Sequence, residues 1–225
     1  MGLLSEVGLV FLLIQLAIWS GEISKALPWL IGLAPLAFAL RYWRRNPKVF
    51  KLLFKPAGNE LQYLLMIFTF VFFERAIGLI GEFWNPSFFV IPYLPLKMLK
   101  FFLLYLPWAF FQQLLLNGYF YNRLCGLEDA AAAEDAAAVC INGISQKNAV
   151  LISGILFSLV HIPNPVLLAV TLIGGWLSAY FFQRARNIYL LAVFHAILAV
   201  STMYCLPEAW HHHLRIGPGF YTWHP

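Results

Sequence analysis

Apolar residues run in unbroken stretches over 3–19, 26–43, 61–81, 101–122, 149–163, 165–183 and 187–206, without the every-second-residue alternation of a strand. As helices, stretches of about 20 apolar residues rising about 1.5 Å each match the hydrocarbon thickness of a bilayer. The missing alternation excludes an outer-membrane barrel. An eighth run, 86–96, is shorter and carries Pro92 and Pro95, which predicts an interfacial or re-entrant piece. Between the fifth and sixth stretches, His161-Ile162-Pro163-Asn164-Pro165 predicts a tight break. The pattern predicts an all-α, polytopic transmembrane helical bundle of about seven or eight spans. It forms one integral membrane domain over 1–225: N-terminal spans in 1–100, a core in 101–206 where polar residues gather, and an aromatic tail in 207–225.

Composition sharpens this reading. Hydrophobic residues make up 61% of the chain and charged residues 11%, with a mean hydropathy of +0.74. Soluble domains sit near half apolar and about a quarter charged, so a soluble enzyme on a membrane anchor is excluded. The net charge of +5 is unevenly spread: Arg41, Arg44, Arg45, Lys48, Lys51 and Lys55 fall in one segment. Beside a span, such a cluster reads as a cytoplasmic, lipid-facing loop, and no nucleic-acid partner is expected. That choice returns 123–148, Arg184 and Arg186 to the cytoplasm, with the N-terminus inside and the C-terminus outside; Lys97 and Lys100 oppose it unless they snorkel. The expected location is a bacterial cytoplasmic membrane, with the lipid bilayer itself as a partner. The first residues lack a basic n-region and a small-residue cleavage site, so the first run reads as a retained helix. Cys125, Cys140 and Cys205 form no CxxC pair and indicate neither a disulfide framework nor a metal. The acidic, Ala-rich 125–148 segment reads as a solvated helical connector, and no internal repeat is evident.

Polar side chains inside apolar spans are costly and mark candidate sites. Gln112 and Gln113 lie deep in the fourth run, and Asn117 shares a helix face with Gln113. Such amides also serve as glue between helices. His161 closes one apolar helix before the proline break, and His195 is the strongly polar residue in the middle of the last. Either alone reads as a satisfied structural histidine; two on separate spans, with an amide pair on a third, can converge on one buried site. Glu74 and Arg75 sit mid-span but point about 100° apart, so each either finds a structural partner or, for Glu74, approaches the same cavity. His211, His212 and His213 are consecutive and so do not easily face one ion.

The order and spacing of these residues resemble the CPBP family of intramembrane proteases, which includes the CAAX prenyl-protein endopeptidases and the bacterial Abi proteins. The family signature is Glu-Glu-x-x-x-Arg, then Phe-x-x-x-His, then His-x-x-x-Asn on successive core spans. The corresponding residues here are Gln112-Gln113-Leu-Leu-Leu-Asn117, with Gly118-Tyr-Phe-Tyr-Asn122-Arg123-Leu124 following; Phe157 to His161; and His195 with Ala199 in the Asn slot. Leu172-Ile173-Gly174-Gly175 lies where the family has a small-residue helix, and the resemblance covers about 105–200. It implies metal-independent peptide hydrolysis in the membrane. Gln112 would occupy the base position, with His161 as its partner and His195 as the oxyanion donor. Gln113, Asn117, Phe157 and Asn164 would support them. No cofactor is implied, and the partner is a protein or peptide substrate at the membrane.

The departures bear on activity. A glutamine cannot take a proton near neutral pH, so the site as it stands is expected to be inactive. Paired Glu→Gln replacement and a natural pseudoprotease that binds without cutting both account for Gln112 and Gln113. Asn117 and Ala199 place the chain in a divergent branch; some such branches process C-terminal sorting segments. Two other readings are a non-catalytic scaffold and a small transporter using His161, His195 and Glu74 as a proton path. A metalloprotease is disfavoured, because no HExxH occurs.

Overall fold

The structure, a computed structural model, describes residues 2–54, 59–84, 94–125 and 144–222. Most of the 86–96 run, Lys55, Cys140, most of the 125–148 connector, Trp223 and His224 lie outside the described residues. The described chain is helical, with no strand: α1 (Leu3–Trp19), α2 (Leu27–Arg45), α3 (Pro47–Leu53), α4 (Glu60–Trp84) and α5 (Leu94–Gln113). From α5 the rod continues through a π-helical segment (Leu114–Tyr121) into α6 (Asn122–Leu124). Then come α7 (Gln146–Leu159), α8 (Pro165–Ala185), α9 (Ile188–Cys205) and the short tail helices α10 (Glu208–His211) and α11 (Pro218–Tyr221).

Local chemistry sets the boundaries of the core helices. The Ser145 hydroxyl accepts from the Asn148 N–H at 3.2 Å and caps α7. Asn164 Oδ1 accepts from the Leu167 N–H at 3.1 Å, with Pro165 as the first residue of α8. Asn187 Oδ1 accepts from the Leu190 N–H at 3.0 Å and starts α9. Each satisfies a backbone donor that the helix cannot, as short polar side chains do at N-caps, and proline fits at the first helical position.

Among the described residues, five helices are long and apolar enough to cross a membrane: those containing Leu4–Glu22, Glu60–Trp84, Pro95–Leu124, Pro165–Ala185 and Ile188–Cys205. The protein is therefore an integral membrane protein. The seven or eight spans anticipated from the sequence are not reached by this measure, for identifiable reasons. α2 carries Arg41 and, in its last turn, Arg44 and Arg45, which shorten its uncharged stretch. α7 is 14 residues long, about the length of a buried or re-entrant helix. The lipid-facing side is plain on α4, which exposes Leu61, Leu64, Phe68, Phe72 and Phe83 while burying Met66, Phe70, Ile77 and Gly81. A soluble protein would not leave such a stripe uncovered.

Small residues let the core helices approach. A Cβ on Gly154 would lie 2.9 Å from the Trp176 nitrogen, and one on Gly175 would lie 2.9 Å from Phe157 Cδ1. The α7–α8 hairpin is thus packed backbone to backbone, as small residues allow in membranes. Gly81 of α4 meets the last turn of α9, where an added Cβ would overlap the Cys205 carbonyl. Phe70 stacks on Phe194 with ring centroids 4.5 Å apart, tying α4 to α9 again. At the other end, Arg123 pairs with Glu6 at 2.9 Å and fixes α1 to the end of the long rod. The buried Arg186 donates to Asn122 Oδ1 at 3.3 Å.

Candidate active site

Residues of α4, α5, α7 and the break after it, α8, α9 and the tail line a partly open cavity of about 150 Å³. The π-helical turn, a type of distortion that favours functional sites, begins one residue after Gln113. Gln112 and Gln113 enter this region on adjacent positions and take different roles. Gln113 is 2% exposed and fully engaged. Its Oε1 accepts from Asn117 Nδ2 at 2.6 Å and from the Ser178 hydroxyl at 2.6 Å, and Asn117 Nδ2 also donates to Ser178 at 2.9 Å. Its Nε2 lies 3.1 Å from His195 Nδ1. Gln112 faces the cavity, with its Oε1 accepting from the Tyr105 hydroxyl at 3.2 Å.

The two histidines present opposite faces to this space. His161 Nδ1 donates to the Phe157 carbonyl at 2.7 Å, so the neutral ring offers an unprotonated Nε2. His195 Nδ1 accepts from an amide, so its neutral ring carries the proton on Nε2. One imidazole is an acceptor and the other a donor. Phe157 stands between them, edge-on to both, with ring centroids 5.1 Å from His161 and 5.4 Å from His195. Gln112, Gln113, Phe157, His161 and His195 all line the one cavity, and Ala199 lines it as well.

The remaining candidates lie elsewhere. Asn117 is fully buried behind Gln113, and its Oδ1 has no partner among the described residues. Asn164 does not line the cavity; besides capping α8, its Nδ2 donates to the His211 and Arg215 carbonyls at 2.7 and 3.1 Å. Glu74 also stands outside the lining and accepts from the Ser201 hydroxyl at 3.3 Å, while Arg75 is exposed. The three tail histidines diverge: His211 is buried, His212 stacks on Phe220, and His213 pairs with Glu208. Among the described residues, no group of three His, Cys, Asp or Glu is placed to hold a metal ion.

Sequence reasoning passed over Ser178, Tyr105 and the tail residues Leu214 and Ile216. Ser178 left a usable signal, a hydroxyl facing inward from an apolar helix one turn after Gly174. Tyr105 lies seven residues before Gln112, two helical turns away on the same face. Leu214 and Ile216 line the cavity from the far end of the chain, and no local pattern announces that.

The sequence model of the family described as type II CAAX prenyl endopeptidase Rce1-like matches residues 94–201. That stretch runs from the start of α5 to the last turns of α9 and contains every residue lining the cavity except Phe70 of α4, Thr202 of α9 and the tail residues Leu214 and Ile216. No curated protein and no solved structure matches the chain.

Proposed function

The chain carries an Rce1-like domain of the CPBP family of membrane proteases over residues 94–201, and from this we propose that its cavity binds an unwound peptide segment in a peptide-hydrolase geometry that lacks the water-activating carboxylate. The observation that carries the proposal is the pairing of an acceptor imidazole, His161, with a donor imidazole, His195, across a cavity that Gln112 also lines. A donor fixed by its own hydrogen bond stabilises a developing oxyanion without reorganising. An acceptor imidazole beside it orients a water for attack on the same carbonyl carbon. Gln112 also helps place that water but does not take its proton. Gln113, Asn117 and Ser178 hold His195 in its donor tautomer, and Phe157 fixes the spacing of the two rings. Asn164 acts at a distance, through the tail.

In this reading the substrate is a membrane-embedded or C-terminal segment of a protein, and the location is a bacterial cytoplasmic membrane with the Arg41–Lys51 cluster on the cytoplasmic side. A non-catalytic binder is the second reading, and Gln112 and Gln113 favour it. A proton path has less support, because Glu74 hydrogen-bonds Ser201 outside the cavity lining.

The test is cleavage of a fluorogenic transmembrane-peptide library in liposomes by the chain and by its Gln112→Glu form. Restoring the carboxylate should raise turnover by about 10²-fold or more, the usual effect of a positioned general base. The cleavage should resist chelator and disappear on adding His161→Ala. Peptide binding without cleavage in either form supports the binder.

A further inference from the structure

We propose that Leu214 and Ile216, brought from the C-terminal tail, are the specificity-determining wall of this cavity, restricting it to one apolar side chain of up to single-ring size from an extended substrate segment. The proposal rests on the reading of the cavity as a peptide site, and it adds the class of residue accepted there.

Both side chains line the cavity beside Gln112, His161 and His195. The intervening Arg215 is extended, with φ −73° and ψ 144°, and exposed. Leu214 and Ile216 thus both meet the cavity while the Arg215 between them is turned to the outside. The strap is held at both ends. Asn164 donates to the His211 and Arg215 carbonyls, and the Gly217 N–H donates to the Ile162 carbonyl at 2.8 Å. Gly217 has φ 56°, and a Cβ there would fall 2.6 Å from Ile18 Cγ2, so the strap presses against α1.

The approach to this position is strained. His212, His213 and Leu214 have φ of 45°, 54° and 59°, three consecutive non-glycine residues in the left-handed region. Such backbone is disfavoured for residues with a Cβ and persists where surrounding contacts over-determine it. A loosely draped tail would relax this backbone. Here the contacts of Leu214, Ile216 and Gly217 hold it.

With the strap in place the cavity measures about 150 Å³, a size at which an engineered apolar cavity takes up a single benzene. An α-helix about 10 Å across does not fit, so the segment enters unwound, offering one side chain to the pocket and its carbonyl to His195. Apolar neighbours such as Phe157, Leu198 and Leu214 outweigh polar ones in the lining, which sets the preference for an apolar side chain.

The experiment uses the full chain in nanodiscs and a set of otherwise identical membrane peptides bearing Ala, Leu, Phe, Trp or biphenylalanine at one position. Binding is read for the unaltered chain, and cleavage for the Gln112→Glu form. Leu and Phe should bind at least about tenfold tighter than biphenylalanine, the scale at which pocket size discriminates. The Leu214→Ala, Ile216→Ala double variant should bring that ratio below about threefold, whereas Leu214→Met, Ile216→Val should retain it and report that the tail still folds. Size-selective binding without cleavage by the Gln112→Glu form overturns the hydrolase reading and leaves the wall standing. An unchanged size ranking in the Ala double variant overturns the wall and leaves the hydrolase reading standing. Absence of peptide binding in every form overturns both.

Discussion

Gln113 illustrates how much one amide orders. It accepts two hydrogen bonds on Oε1 and donates one through Nε2, and each of the three partners, Asn117, Ser178 and His195, belongs to the site or directly supports it. A carboxylate at this position would accept on both oxygens, so His195 would have to bring a proton on Nδ1 and surrender its Nε2 donor or become charged. No Arg stands at position 117 to offset the added charge. We therefore expect Gln113→Glu to destabilise the protein by about 2 kcal/mol or more, measured by thermal unfolding in detergent, and to lower the cleavage gained from Gln112→Glu alone. A double Glu form that outperforms the single one would refute this account. The candidate polar residues at this scale were legible in the sequence because polar atoms in apolar helices are few. Their hydrogen-bond roles were not, since they depend on which helix faces which. Ser178 shows the difference: its residue type was visible, but its service to Gln113 needed α8 to be docked against α5.

At the scale of the element, the α7–α8 hairpin places His161. The cap at Asn164, the prolines on either side of it and the Gly154–Gly175 approach fix where α7 ends and how closely α8 returns. Replacing Gly175 with Leu would drive a side chain into Phe157, the residue whose carbonyl holds the His161 tautomer and whose ring spaces both histidines. The expected cost is about 1–3 kcal/mol, typical of overpacking, with loss of peptide binding; Gly175→Ala should be milder. Unfolding midpoints and binding to the same peptides check both. The break at 161–165 and the ends of α8 and α9 were readable from Pro and Asn, whose chemistry is local. The number of spans was less readable, because run length alone does not tell α7, a helix of 14 residues, from a full crossing. The π-helical turn after Gln113 also left no sign in the apolar pattern, since its residues are as hydrophobic as those of the turns around it.

For the whole molecule, the tail couples the first helix, the hairpin and the cavity. His211 is 1% exposed, with its Nε2 donating to the Leu206 carbonyl and its Nδ1 without a partner among the described residues. Burial holds its pKa below the ordinary histidine value; the Leu206 hydrogen bond and Glu208 pull the other way, while His213 and His212 add to the lowering. A group whose folded pKa is depressed takes up its proton more readily when undocked. The tail is therefore held at full strength above pH about 6.5, the free histidine value, and weakens as pH falls from there toward the folded value. Limited proteolysis should cut the tail faster at pH 5 than at pH 7.5, and His211→Phe should flatten that dependence. Equal rates at the two pH values would remove His211 from the account. This long-range closure is the part of the fold least legible in sequence: 207–225 showed aromatic composition and three histidines, but nothing that joins residue 217 to residues 18 and 162.

The strap also has a consequence in time. Residues 212–217 leave the ribosome after every helix that carries the cavity, so the bundle from α1 to α9 inserts and packs with that wall still missing. During that interval Gln112, His161 and His195 lack the cover that Leu214 and Ile216 supply in the folded chain. If the strap is the wall proposed above, selectivity is acquired only after the helices have settled, by a few residues entering a left-handed turn.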